Sequence, residues 1–246
     1  MTAIVFLGPT LAIAQARAQF DAVYLPPAAQ GDVYQASLEA PTAIGLIDGY
    51  FESTPAVWHK EILFALSRGI HVFGAASMGA LRAAELHEFG MEGVGAIFEG
   101  YRSGLLEADD EVAVAHATAE NGYRVASEAL VNVRATLRAA ELAGIVGSSL
   151  ARDLIDIAKS QFYPDRSYPW LLRRARELGL DASELRALAD FLPRNSINQK
   201  QLDAQQLLSV MKQQQAACTE PKRVRFHFEI TDAWTHFCEH FTPRSS

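Results

Sequence analysis

The sequence predicts an α/β fold: a doubly wound, mostly parallel sheet carrying a C-terminal helical appendage. Three observations predict it. Short, nearly continuous apolar runs recur through the first hundred residues, stretches of helical composition separate them, and beyond residue 145 helical spacing dominates. Continuous apolar strands are those buried on both faces, which is the habit of parallel sheets covered by helices.

The strands are expected at Ala3–Leu7, Ala22–Leu25, Ala43–Ile47, His71–Gly74 and Gly93–Phe98. Two intervening helices are well marked. Thr54 reads as an N-cap with Pro55 behind it, and Trp58, Ile62, Leu63, Ala65 and Leu66 follow at helical spacing until Gly69. From Ser77, the residues Leu81, Ala84 and Leu86 line one face up to Gly90. Asp109-Asp110-Glu111 reads as the acidic first turn of a further helical stretch reaching Ala143. Gly144 and Gly147 then mark a boundary, giving an α/β domain over 1–145 and an appendage over 146–246. Within the appendage, helices are expected near Leu150–Phe162, Trp170–Leu178, Ala182–Leu192 and Gln199–Ala217, the last with a solvated Gln-rich face. Lys222–Ile230 alternates basic and apolar residues, as a half-buried strand does.

Composition excludes several classes. Lys+Arg 22 against Asp+Glu 29 gives a net charge of −7, a poor match for nucleic acid, which asks for a clustered basic face. No apolar run reaches the ~18–20 residues of a membrane span, and the first residues lack the basic start of a signal peptide. A cytoplasmic location is expected. The 2 cysteines, Cys218 and Cys238, allow neither a disulfide scaffold nor a Cys-rich metal site. The string His236, Cys238, His240 would share a face on a strand but lacks a fourth ligand, so no metal is expected. Neither a G-x-G-x-x-G fingerprint nor a Walker A loop is present, and no cofactor is expected.

Ligands of open α/β sheets bind beyond the carboxyl ends of the strands. The fourth strand ends in Ala75-Ala76-Ser77-Met78-Gly79, one residue from the G-x-S-x-G nucleophile elbow. Such a bend would present the Ser77 hydroxyl at a helix N-terminus, with the Met78 and Gly79 N–H groups as oxyanion donors. The competing role for Ser77 is a plain helix cap. A nucleophilic serine needs a base. His59 is the first candidate, His116 the second, and Asp48 could orient the imidazole. Lys60 and Arg82 could meet an anionic substrate, although Arg82 could equally pair with Glu85. Asp110, in the acidic triplet, is counted with the substrate-binding residues. A phosphate loop at Gly8-Pro9-Thr10 is a weak further signal.

Ile47-Asp48-Gly49-Tyr50-Phe51, Val57-Trp58-His59-Lys60-Glu61-Ile62-Leu63 and Gly74 through Leu86, followed by Phe89-Gly90-Met91, Asp109 through Ala113 and Val131-Asn132-Val133-Arg134, resemble the TfuA-like family over roughly Ile4–Ala140. The resemblance implies sulfur delivery to a YcaO enzyme for peptide-backbone thioamidation. The sulfur would come from the C-terminal thiocarboxylate of a ubiquitin-like carrier protein, hydrolysed to sulfide. Ser77 would be the attacking group, with His59 or His116 as base. The order of these residues is not that of α/β-hydrolases, so water could attack directly while Ser77 binds the acyl group. A non-catalytic adaptor that docks the carrier onto YcaO is the alternative, with the acidic triplet and the Gln-rich helix as contact surfaces. The implied partners are thus the carrier and YcaO; a homo-oligomer is compatible with the sequence, and nucleic acid and membrane are not expected.

Overall fold

A computed structural model describes residues 2–50, 54–217 and 220–241. The chain forms two compact units, one made of residues 1–105 with 201–246 and the other of 106–200.

The first unit is an α/β sheet. Five parallel strands, β1 (Ala3–Phe6), β2 (Val23–Leu25), β3 (Ala43–Leu46), β4 (His71–Ala75) and β5 (Glu92–Val94), lie in the order β2-β1-β3-β4-β5. The chain steps one way from β1 to β2 and the other way thereafter. Right-handed crossovers therefore put α1 (Ile13–Gln19) on one face and α2 (Asp32–Leu38), α3 (His59–Ser67) and α4 (Met78–Leu86) on the other. A short α5 (Ala96–Arg102) follows β5.

The α1 face is completed by α10 (Gln199–Ala217), which the chain supplies only after building the second unit. Ala204, Leu207, Leu208 and Met211 are buried there with Val5, Phe20, Phe73 and Ala75. Gly45 makes room for them: a Cβ at that position would come within 2.6 Å of the Met211 sulfur. The Gln-rich helix is therefore a core helix on one side, and only its remaining faces are solvated.

Glutamate ties the opposite layer together. The buried Glu61 carboxyl accepts from the N–H groups of Tyr34 (3.1 Å) and Trp58 (3.0 Å), joining the starts of α2 and α3. Burial pushes its pKa up, against the lowering effect of these backbone donors. Over these helices lies an aromatic layer in which α11 (Asp232–Phe241) contributes Trp234 and Phe237 to Tyr34, Trp58 and Phe64.

The second unit is helical. α6 (Leu130–Leu142), α7 (Ser148–Ser160), α8 (Tyr168–Glu177) and α9 (Ala182–Asn195) bury one core containing Leu137, Leu154, Leu171 and Leu188. Its loops are held by ion pairs, Glu111 with Arg134 (2.7 Å) and Asp110 with the fully buried Arg166 (3.0 Å).

Several expected elements differ. The helix after β3 starts at His59 rather than Thr54, because Glu61 caps the Trp58 N–H. Of the fifth apolar run only Gly93 and Val94 are strand, in β5; Gly95, at φ +97, turns the chain into α5. Asp109–Glu111 forms a single 3-10 turn, and regular α-helix resumes only at Leu130. Lys222–Ile230 forms no strand. Its alternation is real, with Phe226 against Phe89 and Phe228 against Phe64, but no neighbouring strand pairs with it among the described residues. His236, Cys238 and His240 lie on α11, where every second residue does not share a face, and no metal-binding group occurs among the described residues.

Candidate active site at the amino end of α4

The bend between β4 and α4 begins with a strained residue. Ala76 has φ +67, and the Ser77 N–H closes a three-residue turn around it by donating to the Ala75 carbonyl at 2.8 Å. Positive φ in a three-residue turn is rare for any residue with a Cβ. In a nucleophile elbow the strained residue is the serine; here it is the residue before it, and Ser77 itself has φ −123. Beyond the turn, α4 lies against the sheet with no room for a side chain. A Cβ on Gly79 would stand 1.7 Å from the Leu46 carbonyl oxygen, and one on Gly74 would stand 2.1 Å from the Gly79 carbonyl. Gly79 thus serves close helix–strand packing. Its N–H is committed to the Ile47 carbonyl (3.3 Å) and is not a spare oxyanion donor.

Ser77 occupies the N-cap position yet makes no capping bond. Its hydroxyl has no partner among the described residues, and its residue is 8% exposed. No fully buried side-chain polar atom among the described residues lacks a partner, so solvent reaches this hydroxyl. The Met78 N–H beside it is likewise unbonded among the described residues. One hydroxyl and one amide therefore stand ready at the positive end of a helix, an arrangement suited to an anion or a polarised carbonyl.

The other candidates are engaged elsewhere. The His59 Nε2 hydrogen-bonds the Glu85 carboxylate (2.8 Å), which also accepts from Arg82 (2.7 Å). Burial alone would raise the Glu85 pKa, but the His59 and Arg82 hydrogen bonds outweigh it and hold it below the ordinary value. Eight residues of α-helix rise about 12 Å, so a histidine tied to Glu85 stands well down α4 from Ser77. Arg82 also donates to the Val57 carbonyl (3.0 Å). Lys60 donates to the Thr231 hydroxyl (3.0 Å) and lies 5.4 Å from the centre of the Phe228 ring. His116 belongs to the second unit. It is not on a helix but pairs with Val125 in an isolated bridge, its Nδ1 bonded to the Ala117 carbonyl (2.8 Å). Asp110 is the partner of Arg166 there.

Asp48 orients no histidine. It is 2% exposed and accepts from the Gly8 N–H (2.8 Å), the Thr10 N–H (3.1 Å) and the Thr10 hydroxyl (2.5 Å). These donors lie between the ends of β1 and β3, the point where the chain reverses direction and where sheets of this order bind ligands. The protein's own carboxylate takes up the donors of the Gly8-Pro9-Thr10 turn. Asp48→Ala is expected to strand two backbone donors and cost about 3 kcal/mol, lowering Tm by about 6–12 °C in a thermal unfolding scan. A separate cavity of about 230 Å3 lies at the amino end of the sheet, lined by Ala3, Thr42, His71 and Met211, away from Ser77.

Glu85 is the residue that sequence reasoning undervalued. Its i,i+3 spacing to Arg82 was visible, but its bond to His59 across 26 residues carries no local signal.

The geometry defines a parallel α/β protein with a donor pair at a strand-to-helix bend. A family model described as TfuA-like protein matches residues 48–167, from the end of β3 to the approach to α8. Over these residues, just under half of its length, the chain is similar to the TfuA-like family, a likeness that fits a role in the thioamidation system. Comparison with curated proteins finds no match.

Proposed function

We propose that the protein delivers sulfur for peptide-backbone thioamidation by taking the C-terminal thiocarboxylate of a ubiquitin-like carrier protein at the amino end of α4. The observation that carries this reading is the unpartnered Ser77 hydroxyl beside the unbonded Met78 N–H. A thiocarboxylate is an anionic acyl group, and these two donors suit its oxygen or sulfur.

Release of sulfide is an acyl transfer. The Ser77 oxygen attacks the carbonyl carbon, the C–S bond breaks, and the departing sulfur takes the serine proton and leaves as hydrosulfide. Water then hydrolyses the serine ester to the carrier's carboxylate. The charge on the substrate's own sulfur supplies the proton acceptor for the first step, so the engagement of His59 with Glu85 does not forbid it. The Met78 N–H stabilises the developing oxyanion.

The adaptor reading, in which this chain only presents the carrier to YcaO, draws on one observation: His59, Lys60 and Arg82 are all bonded to groups of the same unit. Sulfide measured from thiocarboxylated carrier and purified protein without YcaO separates the two. Turnover supports the hydrolase; saturable carrier binding with no sulfide leaves the adaptor; neither binding nor sulfide defeats both.

A further inference from the structure

We infer that the cleft along the free edge of β5 receives an extended, uncharged C-terminal peptide segment as a sixth parallel strand, whose last residues then reach Ser77. This deepens the reading of Ser77 as the thiocarboxylate site and rests on it.

β5 ends the sheet, and no strand pairs with its outer side among the described residues. Beside it lies an open cleft of about 500 Å3, lined by Glu92, Gly93, Val94 and Gly95 together with Gln206 and Val210 of α10. A cleft running the length of an edge strand offers main-chain donors and acceptors to an added strand, the mode by which many extended peptides are bound.

Two features specify the occupant. The acidic groups at the rim are already paired, Glu92 with Lys222 (2.8 Å) and Glu99 with Arg102 (2.5 Å). The cleft therefore offers no free charge to offset the desolvation of a charged tail. Strand polarity selects a carboxyl terminus: a parallel strand ends at the edge where Ala75 pairs with Val94, and Ser77 lies two residues beyond Ala75. An antiparallel strand would point its end away. The sixth strand would lie two strand spacings from β4, roughly 10 Å, a gap that three extended residues span at about 3.3 Å each.

The test uses the full-length protein and a thiocarboxylated carrier ending in Gly-Gly. Gln206 is exposed, so Gln206→Trp lays an indole across the cleft without entering the core. Carrier binding is expected to weaken at least 10-fold, sulfide release to fall through KM rather than kcat, and Tm to stay unchanged. Val23→Trp, on the opposite edge strand, is expected to bind as the unmodified protein does. Unaltered carrier affinity in Gln206→Trp, while Ser77→Ala still abolishes sulfide, would overturn the edge-strand proposal and leave the Ser77 reading standing. Weakening by Val23→Trp would place the tail at β2 and equally overturn it. If the unmodified protein neither binds carrier nor releases sulfide, both readings fall together.

Discussion

Gly79→Ala is expected to be the most destabilising single methyl in the first unit. The added carbon would meet the Leu46 carbonyl oxygen at 1.7 Å, and that oxygen belongs to a central strand that cannot swing aside. Relief requires α4 to lift from β3 and β4, breaking the Gly79 N–H bond to Ile47 and loosening the contact at Gly74. Overpacking of a core commonly costs 1–3 kcal/mol, and a clash against backbone belongs at or above the top of that range, about 3 kcal/mol. A fall in Tm of about 6–12 °C is expected. Gly147→Ala, where the nearest atom is the far end of Glu184 at 3.7 Å, should cost under about 1 kcal/mol. Similar midpoints for the two variants would show that α4 is not packed as described.

Ser77→Ala should behave in the opposite way, losing function without losing stability. A serine that caps a helix costs about 1 kcal/mol when replaced by alanine, but this one makes no capping bond and its hydroxyl has no partner to abandon. Its unfolding midpoint should therefore stay within about 0.5 kcal/mol of the unmodified protein. Sulfide release should fall at least about 100-fold, the scale of losing a nucleophile or a key donor at a developing oxyanion. A destabilised but active variant would make Ser77 an ordinary cap and move the chemistry elsewhere.

These two expectations separate what the sequence announces from what it conceals. The run from Ala75 to Gly79 announces a tight bend, since small residues in that spacing serve close approach. It does not reveal that the left-handed residue is Ala76, because φ depends on how the strand end meets the helix. The apolar runs announce parallel strands, but neither the strand order nor the site of each crossover is local information. Ala204, Leu207, Leu208 and Met211 stand at helical core spacing and could have been read as a buried stripe. The surrounding glutamines disguised it, because average polarity obscures a narrow apolar face. Phe226 and Phe228 show the converse. Alternation recorded a segment with one side packed, and strand formation needed a hydrogen-bonding neighbour that the alternation could not supply. His59 was legible as a candidate, whereas the Glu85 bond that draws it down α4 depends on two helices being brought side by side.

The late arrival of α10 bears on how the molecule is made. All five strands leave the ribosome before residue 106, yet the helix that covers Val5, Gly45 and Phe73 is translated only after ninety-odd further residues. During that interval α1 alone covers that side of the nascent sheet, and chaperones or early aggregation compete for the apolar surface it leaves bare. Shortening the gene from its 3′ end would remove part of the first unit's hydrophobic centre, far though those codons are from the strands they protect.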